Sequence, residues 1–350
     1  LINKHFKVIM SSIIFAMLAS STTFAKQIIN STNGPSLKNK GPVIFNTKKL
    51  KTNPIITTKQ YTKTYPNTKN TPPSTFNPLT ATDTELDKYG FPSRPTDKKQ
   101  LAQWENAMRH AKKHVSLKIK NSNTTHGTSQ SPNWTGYVCQ GSSNNNTKFY
   151  QSCTEFFIPQ YNGSTNDDPA IWTGIGGYNG SYSIVQAGAD LNATGSPYSG
   201  TTYGGTTQYE FWIEDFPENV SYASGIPIKP GDEVFVNVKY SPTTHQSTAY
   251  FENDTTSQYG SVNFDGTYYD GSSADFVCEA TGSQYHGNWP SINFVGNMAY
   301  YNYNESTGKG DSSYLPLLNY DTINLQSGNY TEAVPSSITS KLGGFMINTY

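Results

Sequence analysis

Tyr209-Glu210-Phe211-Trp212-Ile213-Glu214 is the stretch on which the fold class turns. Side chains two apart along a strand share one face, so Tyr209, Phe211 and Ile213 form an apolar set while Glu210, Trp212 and Glu214 look the other way. Ala274-Asp275-Phe276-Val277-Cys278-Glu279 repeats the pattern, with Ala274, Phe276 and Cys278 apolar and Asp275, Val277 and Glu279 opposite. Working outward, everything after Ser131 reads as short β-rich runs between clusters of Gly, Asn, Ser, Asp and Pro. These are Trp134–Cys139, Phe149–Ile158, Ala170–Ile175, Ser183–Ala187, Tyr209–Ile213, Glu233–Tyr240, Ser247–Glu252, Ala274–Glu279, Ser291–Phe294 and Gly343–Asn348. About 220 residues of such strands suit one all-β domain, an antiparallel β-sandwich of two packed sheets around a single core.

Charge divides the chain in two. Positions 26–130 carry 18 basic and 5 acidic residues, and positions 131–350 carry 5 basic and 20 acidic, so a net +13 precedes a net −15. Of 47 aromatic residues, 37 lie after position 130, which places the core there. The formal net charge of +0 argues against a simple polyanion binder, and no nucleic-acid partner is expected.

Lys4 and Lys7 precede an apolar run from Val8 to Ala19, and Thr23-Phe24-Ala25 offers a small-x-small cut before Lys26. This reads as a signal peptide over 1–25, and hence as a secreted protein without stable membrane insertion. Residues 26–80, rich in Thr, Asn, Lys and Pro, show no sustained apolar period and are expected to be largely disordered. Tyr89-Gly90-Phe91-Pro92-Ser93-Arg94-Pro95 reads as a turn, with Thr96 or Asp97 capping a helix over 96–117 whose stripe is Leu101, Trp104, Met108, Ala111 and Val115. The whole of 26–128 reads as a basic propeptide and the chain's own intramolecular partner. Opposite charges would hold it to the acidic domain, 129–350, near neutrality, and acid would release it. The three cysteines permit at most one disulfide, for which Cys139 and Cys153 are the candidates.

Common chemistries are missing. There is no Asp-Thr-Gly or Asp-Ser-Gly, no His-Glu-x-x-His, no Gly-x-Ser-x-Gly and no Gly-x-Gly-x-x-Gly opening a helix. His126, His245 and His286 stand beside no suggestive Ser or Cys. Neither a metal nor a cofactor is expected, and chemistry falls to carboxylates, amides and tyrosines. The two alternating strands offer a face of acids and aromatics such as a substrate groove requires, although solvent-facing carboxylates on a sheet edge would look the same.

Six motifs then stand in order: Asn133-Trp134-Thr135-Gly136-Tyr137, Ile158-Pro159, Trp172-Thr173-Gly174-Ile175-Gly176-Gly177, Ile184-Val185-Gln186-Ala187-Gly188, Phe211-Trp212-Ile213-Glu214-Asp215-Phe216-Pro217 and Ala274-Asp275-Phe276-Val277-Cys278-Glu279. Over roughly 131–350 the chain resembles the eqolisins, the glutamic peptidases. The resemblance implies a concanavalin A-like sandwich and a pepstatin-insensitive acid endopeptidase, monomeric and made as a zymogen, acting on polypeptides. Its dyad would be Gln186 and Glu279, with Glu214, Trp212, Trp172, Asp190 and Trp134 lining the substrate groove. The family usually has Asp where this chain has Gly176. Two other readings compete: a glycoside hydrolase on a similar sandwich, with Glu214 and Glu279 as acid and nucleophile about 5–5.5 Å apart, and a non-catalytic lectin-like module whose tyrosines stack on glycans.

Overall fold

The alternation at 209–214 is realised as the strand Glu210–Phe216, which sends Phe211 and Ile213 into an apolar interior and turns Trp212 to the opposite face. The computed structural model describes residues 71–121, 133–141, 147–161, 169–178, 181, 183–191, 202–203, 207–281, 289–327 and 330–349. The expected signal peptide, the stretch 26–70, His126 and His286 lie outside the described residues. All ten runs expected as strands are strands.

They build a sandwich. The front sheet runs in the order Tyr320–Ile323, Trp134–Gln140, Ser273–Ala280, Pro169–Gly176, Ile184–Asp190, Glu210–Phe216, Ser221–Ser224 and Lys118–Asn121. The back sheet runs Lys113–His114, Gln258–Asp265, Gln246–Asn253, Glu233–Ser241, Phe149–Phe157, Ile292–Asn304, Gly343–Thr349, Tyr330–Pro335 and Leu325–Ser327, with Lys309–Tyr314 also paired to Ile292–Asn304. Pairing is antiparallel except between Lys113–His114 and Gln258–Tyr259. Between the sheets lie Val185, Ala187, Phe211, Phe276 and Cys278 of the front and Val236, Val238, Ala249 and Phe251 of the back, with Phe211 stacked on Phe251 at 4.7 Å. Each Val or Phe among them contributes roughly 1.5–3 kcal/mol on burial.

The helix expected over 96–117 is shorter. Asp97 caps a 3₁₀ turn at Lys98–Gln100, accepting from the Lys99 N–H at 2.9 Å, and the α-helix spans Leu101–His110. Trp104, Ala107 and Met108 are buried as the stripe requires, but Val115 lies beyond the helix. The sheet edge outcompetes a further helical turn: Lys113 N–H donates to the Ser257 carbonyl at 2.8 Å and Val115 N–H to that of Tyr259 at 2.7 Å. A second helix, Asp83–Lys88, begins in a capping box formed by Thr82 and Glu85.

Leu86, Phe91, Trp104, Ala107 and Met108 cover the outer face of the back sheet, against Tyr150, Phe235, Tyr250, Tyr259, Met298, Tyr300 and Tyr314. Among the described residues the pairs between leader and body run both ways: Lys239 binds Asp87 at 2.6 Å and Lys309 binds Asp83, body base to leader acid, while His110 of the leader stands 3.7 Å from Asp254 of the body.

The Cys139–Cys153 disulfide does not form; all three cysteines are free and buried. Cys139 points between the sheets, whereas Cys153 points outward from the back sheet beneath the leader, its thiol 3.7 Å from the Met298 carbonyl.

Candidate active site

Strand register sorts the outer face of the front sheet into cross-strand rows. In the first, Asp275 is opposite Gly174, Gly174 opposite Gln186, and Gln186 opposite Glu214. In the second, Val277, Trp172, Gly188, Trp212 and Tyr222 follow one another. In the third stand Trp134, Glu279, Ala170, Asp190 and Glu210. Every candidate residue read from the sequence therefore shares one face. All are buried, Gln186 at 2%, Glu214 at 1% and Glu279 at 1% exposure, so these are not carboxylates on a wet edge.

Two direct contacts organise them. Gln186 Nε2 donates to Glu214 Oε2 at 2.5 Å, and Trp172 Nε1 donates to Glu279 Oε2 at 3.1 Å. A carboxylate only accepts, so Glu214 decides which end of the Gln186 amide faces it and leaves Oε1, which has no hydrogen-bond partner among the described residues, turned away. Trp134 meets the Trp172 ring edge-on at 4.8 Å, and Tyr222 donates its hydroxyl to Asp190 Oδ2 at 2.9 Å.

Gln186 and Glu279 occupy different rows, and Trp172 stands between them. Glu279 is diagonal to Trp172 across one strand pair, and Trp172 diagonal to Gln186 across the next. Diagonal neighbours lie about 7–8 Å apart, which sets the two backbone positions about 14–16 Å apart in line. That span fits two side chains reaching toward a small group between them and does not fit a direct hydrogen bond.

The indole owes its place to two glycines. A Cβ on Gly174 would lie 3.0 Å from Trp172 Cζ3 and 3.2 Å from Gln186 Cβ, and one on Gly188 would lie 2.5 Å from Trp172 Cβ. The six-membered ring of Trp172 and the Cβ of Gln186 thus both border the space over Gly174, while the indole N–H holds Glu279. From beneath, Ser152 of the back sheet donates to the Gly174 carbonyl at 3.0 Å.

Gly176 has φ +94°, and Asp270 Oδ1 lies 2.8 Å from where its Cβ would stand. A carboxylate therefore does occupy the neighbourhood of the residue expected as Asp, brought by the turn after Gly266. Asp275, fully buried in the first row, has its carboxyl held well above the usual range by burial and by the charge of Asp270. Cys278 faces the core, and burial, with the charge of Glu279, pushes its thiol up, which leaves it inert as a nucleophile.

Tyr222, Gly174 and Gly188 were not singled out from sequence. Tyr222 sits in the four-residue strand Ser221–Ser224, too short and polar to signal itself, and the glycines gain meaning only from the partner strands. Among the described residues no group of three or more His, Cys, Asp or Glu is arranged to hold a metal ion.

Comparison with curated proteins finds no match. Among solved structures, scytalido-glutamic peptidase with a transition state analog inhibitor is similar at 22% identity and TM-score 0.47, covering 62% of this chain and 98% of that one. SCP-B, a member of the eqolisin family in complex with the tripeptide Ala-Ile-His, is similar at 19% identity and TM-score 0.43, with the same coverages. The Peptidase A4 family model matches residues 132–340, which spans all three rows of the outer face. The chain belongs to the Peptidase A4 family, the eqolisin glutamic endopeptidases.

Proposed function

We propose that Gln186 and Glu279 are the catalytic dyad of this peptidase and that a polypeptide substrate lies across the outer face of the front sheet. The observation that carries this reading is the diagonal Glu279–Trp172–Gln186, with each end held by its own partner. Ionised Glu279 takes a proton from a water attacking the scissile carbonyl and returns it to the departing amine. The second N–H of Gln186, the one not given to Glu214, donates to the oxyanion, and its carbonyl helps to orient the water. Glu214 is a positioning residue, since its carboxylate selects the amide orientation. Trp212, Trp134 and Asp190 line the groove.

The protein is proposed to be exported through its first 25 residues, made as a zymogen with a leader over 26–128, and to act as a monomer in acid. Digestion of one denatured protein at pH 2–5 by the wild type, Glu279→Gln and Gln186→Ala tests the dyad: both variants lose peptide release, and intact proteolysis by either removes it from the mechanism.

The glycoside hydrolase reading loses ground to the geometry. Glu214 and Glu279 stand three strands and two rows apart, well beyond the about 5–5.5 Å of a retaining pair. Sugar release from xylan without proteolysis would restore it. A lectin-like module leaves the buried Gln186–Glu214 and Trp172–Glu279 contacts without a purpose.

A further inference from the structure

We propose that residues 72–121 are a permanent strap of the working peptidase, bound to the face opposite the dyad, and that they stay on as a separate chain when the backbone between Asn121 and Trp134 is cut. This departs from a propeptide shed in one piece, and it stands whether or not the Gln186 and Glu279 assignment is right.

Position is the first argument. From Leu86 to Ala111 the strap's buried apolar side chains lie on the outer face of the back sheet, Leu117 enters the core between the sheets, and the candidate catalytic groups lie on the outer face of the front sheet. The sandwich core separates the two, so opening the groove to substrate does not require this segment to leave.

The second argument is how the segment is held. Leu86, Phe91, Trp104, Ala107 and Met108 are each 2% exposed or less, an interior degree of burial. Phe91 packs at 5.3 Å from Tyr250 and 5.1 Å from Tyr259. Body side chains are spent on strap backbone: the Tyr300 hydroxyl donates to the Ser93 carbonyl and the Tyr314 hydroxyl to the Gln100 carbonyl, both at 2.8 Å, and Ser261 donates to the Tyr89 carbonyl at 3.2 Å. Ser312 donates to Gln100 Oε1 at 2.7 Å in a buried contact. Removing the segment would exchange these hydrogen bonds for water and bare a face made of Tyr150, Phe235, Tyr250, Tyr259, Met298 and Tyr300, a surface a free soluble domain avoids.

The third argument joins the strap to both sheets. Lys113–His114 extends the back sheet beside Gln258–Tyr259, and Lys118–Asn121 extends the front sheet beside Ser221–Ser224. Ser221–Ser224 carries Tyr222, whose hydroxyl holds Asp190 on the catalytic face. The strap is thereby the outer rail of a strand that touches the groove, and its loss would leave that strand as an open edge.

The test uses the full chain carrying Glu279→Gln, which prevents self-digestion, with a recognition sequence for a specific protease inserted between residues 121 and 134. After nicking at pH 5, gel filtration and mass spectrometry are expected to find both fragments in one peak in equal amounts. Adding Trp104→Ala and Leu86→Ala to the nicked protein is expected to speed fragment dissociation by tenfold or more, and precipitation of the stripped body would support the same conclusion. A body that elutes alone, soluble and monomeric, after nicking would overturn the proposal. The same insertion in the active chain gives a second readout: acid proteolysis is expected in the peak holding both fragments, and activity confined to fractions lacking the strap would refute it.

Discussion

Raising the pH should loosen the strap from within. Beneath the Leu101–His110 helix, Glu155, Glu233, Glu252 and Asp254 crowd together on the back sheet. Burial, with the charge of Glu233, pushes Glu155 up to about 7. Burial, with the charges of Glu155 and Glu233, pushes Asp254 up to about 8, and burial holds Glu252 well above the usual range. The groups facing this cluster supply little to offset it. Asn106 donates to Glu155 at 3.3 Å with Gln103 alongside, Tyr250 donates to Glu252 at 2.7 Å, and Tyr259, Tyr314 and Cys153 are neutral neighbours. His110 stands 3.7 Å from Asp254 and attracts it only when protonated.

The folded chain therefore binds more protons than the unfolded one between roughly pH 4.5 and 8, and stability falls as pH rises through that window. From 4.5 to about 7 for Glu155 and from 3.8 to about 8 for Asp254, at about 1.36 kcal/mol per unit, the loss amounts to several kcal/mol. A domain has only about 5–15 kcal/mol in all. Urea unfolding of the Glu279→Gln chain at pH 4.5, 6, 7 and 8.5 reads the effect. A steady fall in unfolding free energy is expected, flattened in the double variant Glu155→Gln with Asp254→Asn. A free energy that stays level or climbs from pH 5 to 8, or an unchanged slope in that variant, would refute the reasoning. The sign is opposite to release in acid and suits the acid action proposed above.

Other consequences are equally concrete. Glu214→Gln replaces an acceptor-only carboxylate with an uncharged amide that can also donate, so either end of the Gln186 amide can face it, and kcat/KM on a peptide substrate should fall by about 10–100-fold, the equivalent of about 1.5–3 kcal/mol for a hydrogen bond to a charged group, with KM little changed; an unaltered kcat would deny Glu214 its positioning role. Gly174→Val fills the slot under the indole, where Trp172 Cζ3 and Gln186 Cβ lie 3.0 and 3.2 Å from the new Cβ, and should cost roughly 100-fold in kcat while the fold survives by circular dichroism. Gln186→Glu replaces the oxyanion donor with a second acceptor beside Glu214 and should cost at least about 2.7–4 kcal/mol in barrier; wild-type turnover would exclude the amide from the reaction. The thiols, buried and pushed up, should resist alkylation at pH 8 until the chain unfolds, and a reducing agent should not move Tm; thiol protection lost on reduction would reveal a disulfide.

Much of the fold was legible because strand alternation is local. Phe211 and Ile213 against Trp212 and Glu214, and Phe276 and Cys278 against Val277 and Glu279, separate core from outer face without knowledge of any partner strand. The membership of the outer face could be read, but its rows could not. Which residues stand on one diagonal depends on register between strands distant in sequence, such as Trp172 opposite Val277. The same holds for the helix end at Ala111, fixed by a sheet edge contributed some 145 residues later, and for Cys139 and Cys153, near in sequence but pointing to opposite sides of the back sheet's plane. Gln258–Asp265 and Tyr330–Pro335 were not among the expected strands: each has few apolar residues, Tyr259, Val262 and Phe264 in the first and Ala333 and Val334 in the second, and owes much of its conformation to pairing with the strands beside it. The capping box at Thr82 and Glu85 was present in the sequence, but its helix is too short to show an apolar stripe.

The claim at the centre is that an amide and a carboxylate reach one tetrahedral oxygen from either side of Trp172. A crystal structure of this protein with a peptide whose cleavable amide is replaced by a hydroxyl-bearing tetrahedral carbon measures it directly. The expected result places that hydroxyl within hydrogen-bond reach of both Gln186 Nε2 and the Glu279 carboxylate, with the indole N–H still on Glu279. A hydroxyl bound by only one of the two, or a peptide lying away from the front sheet, would contradict it.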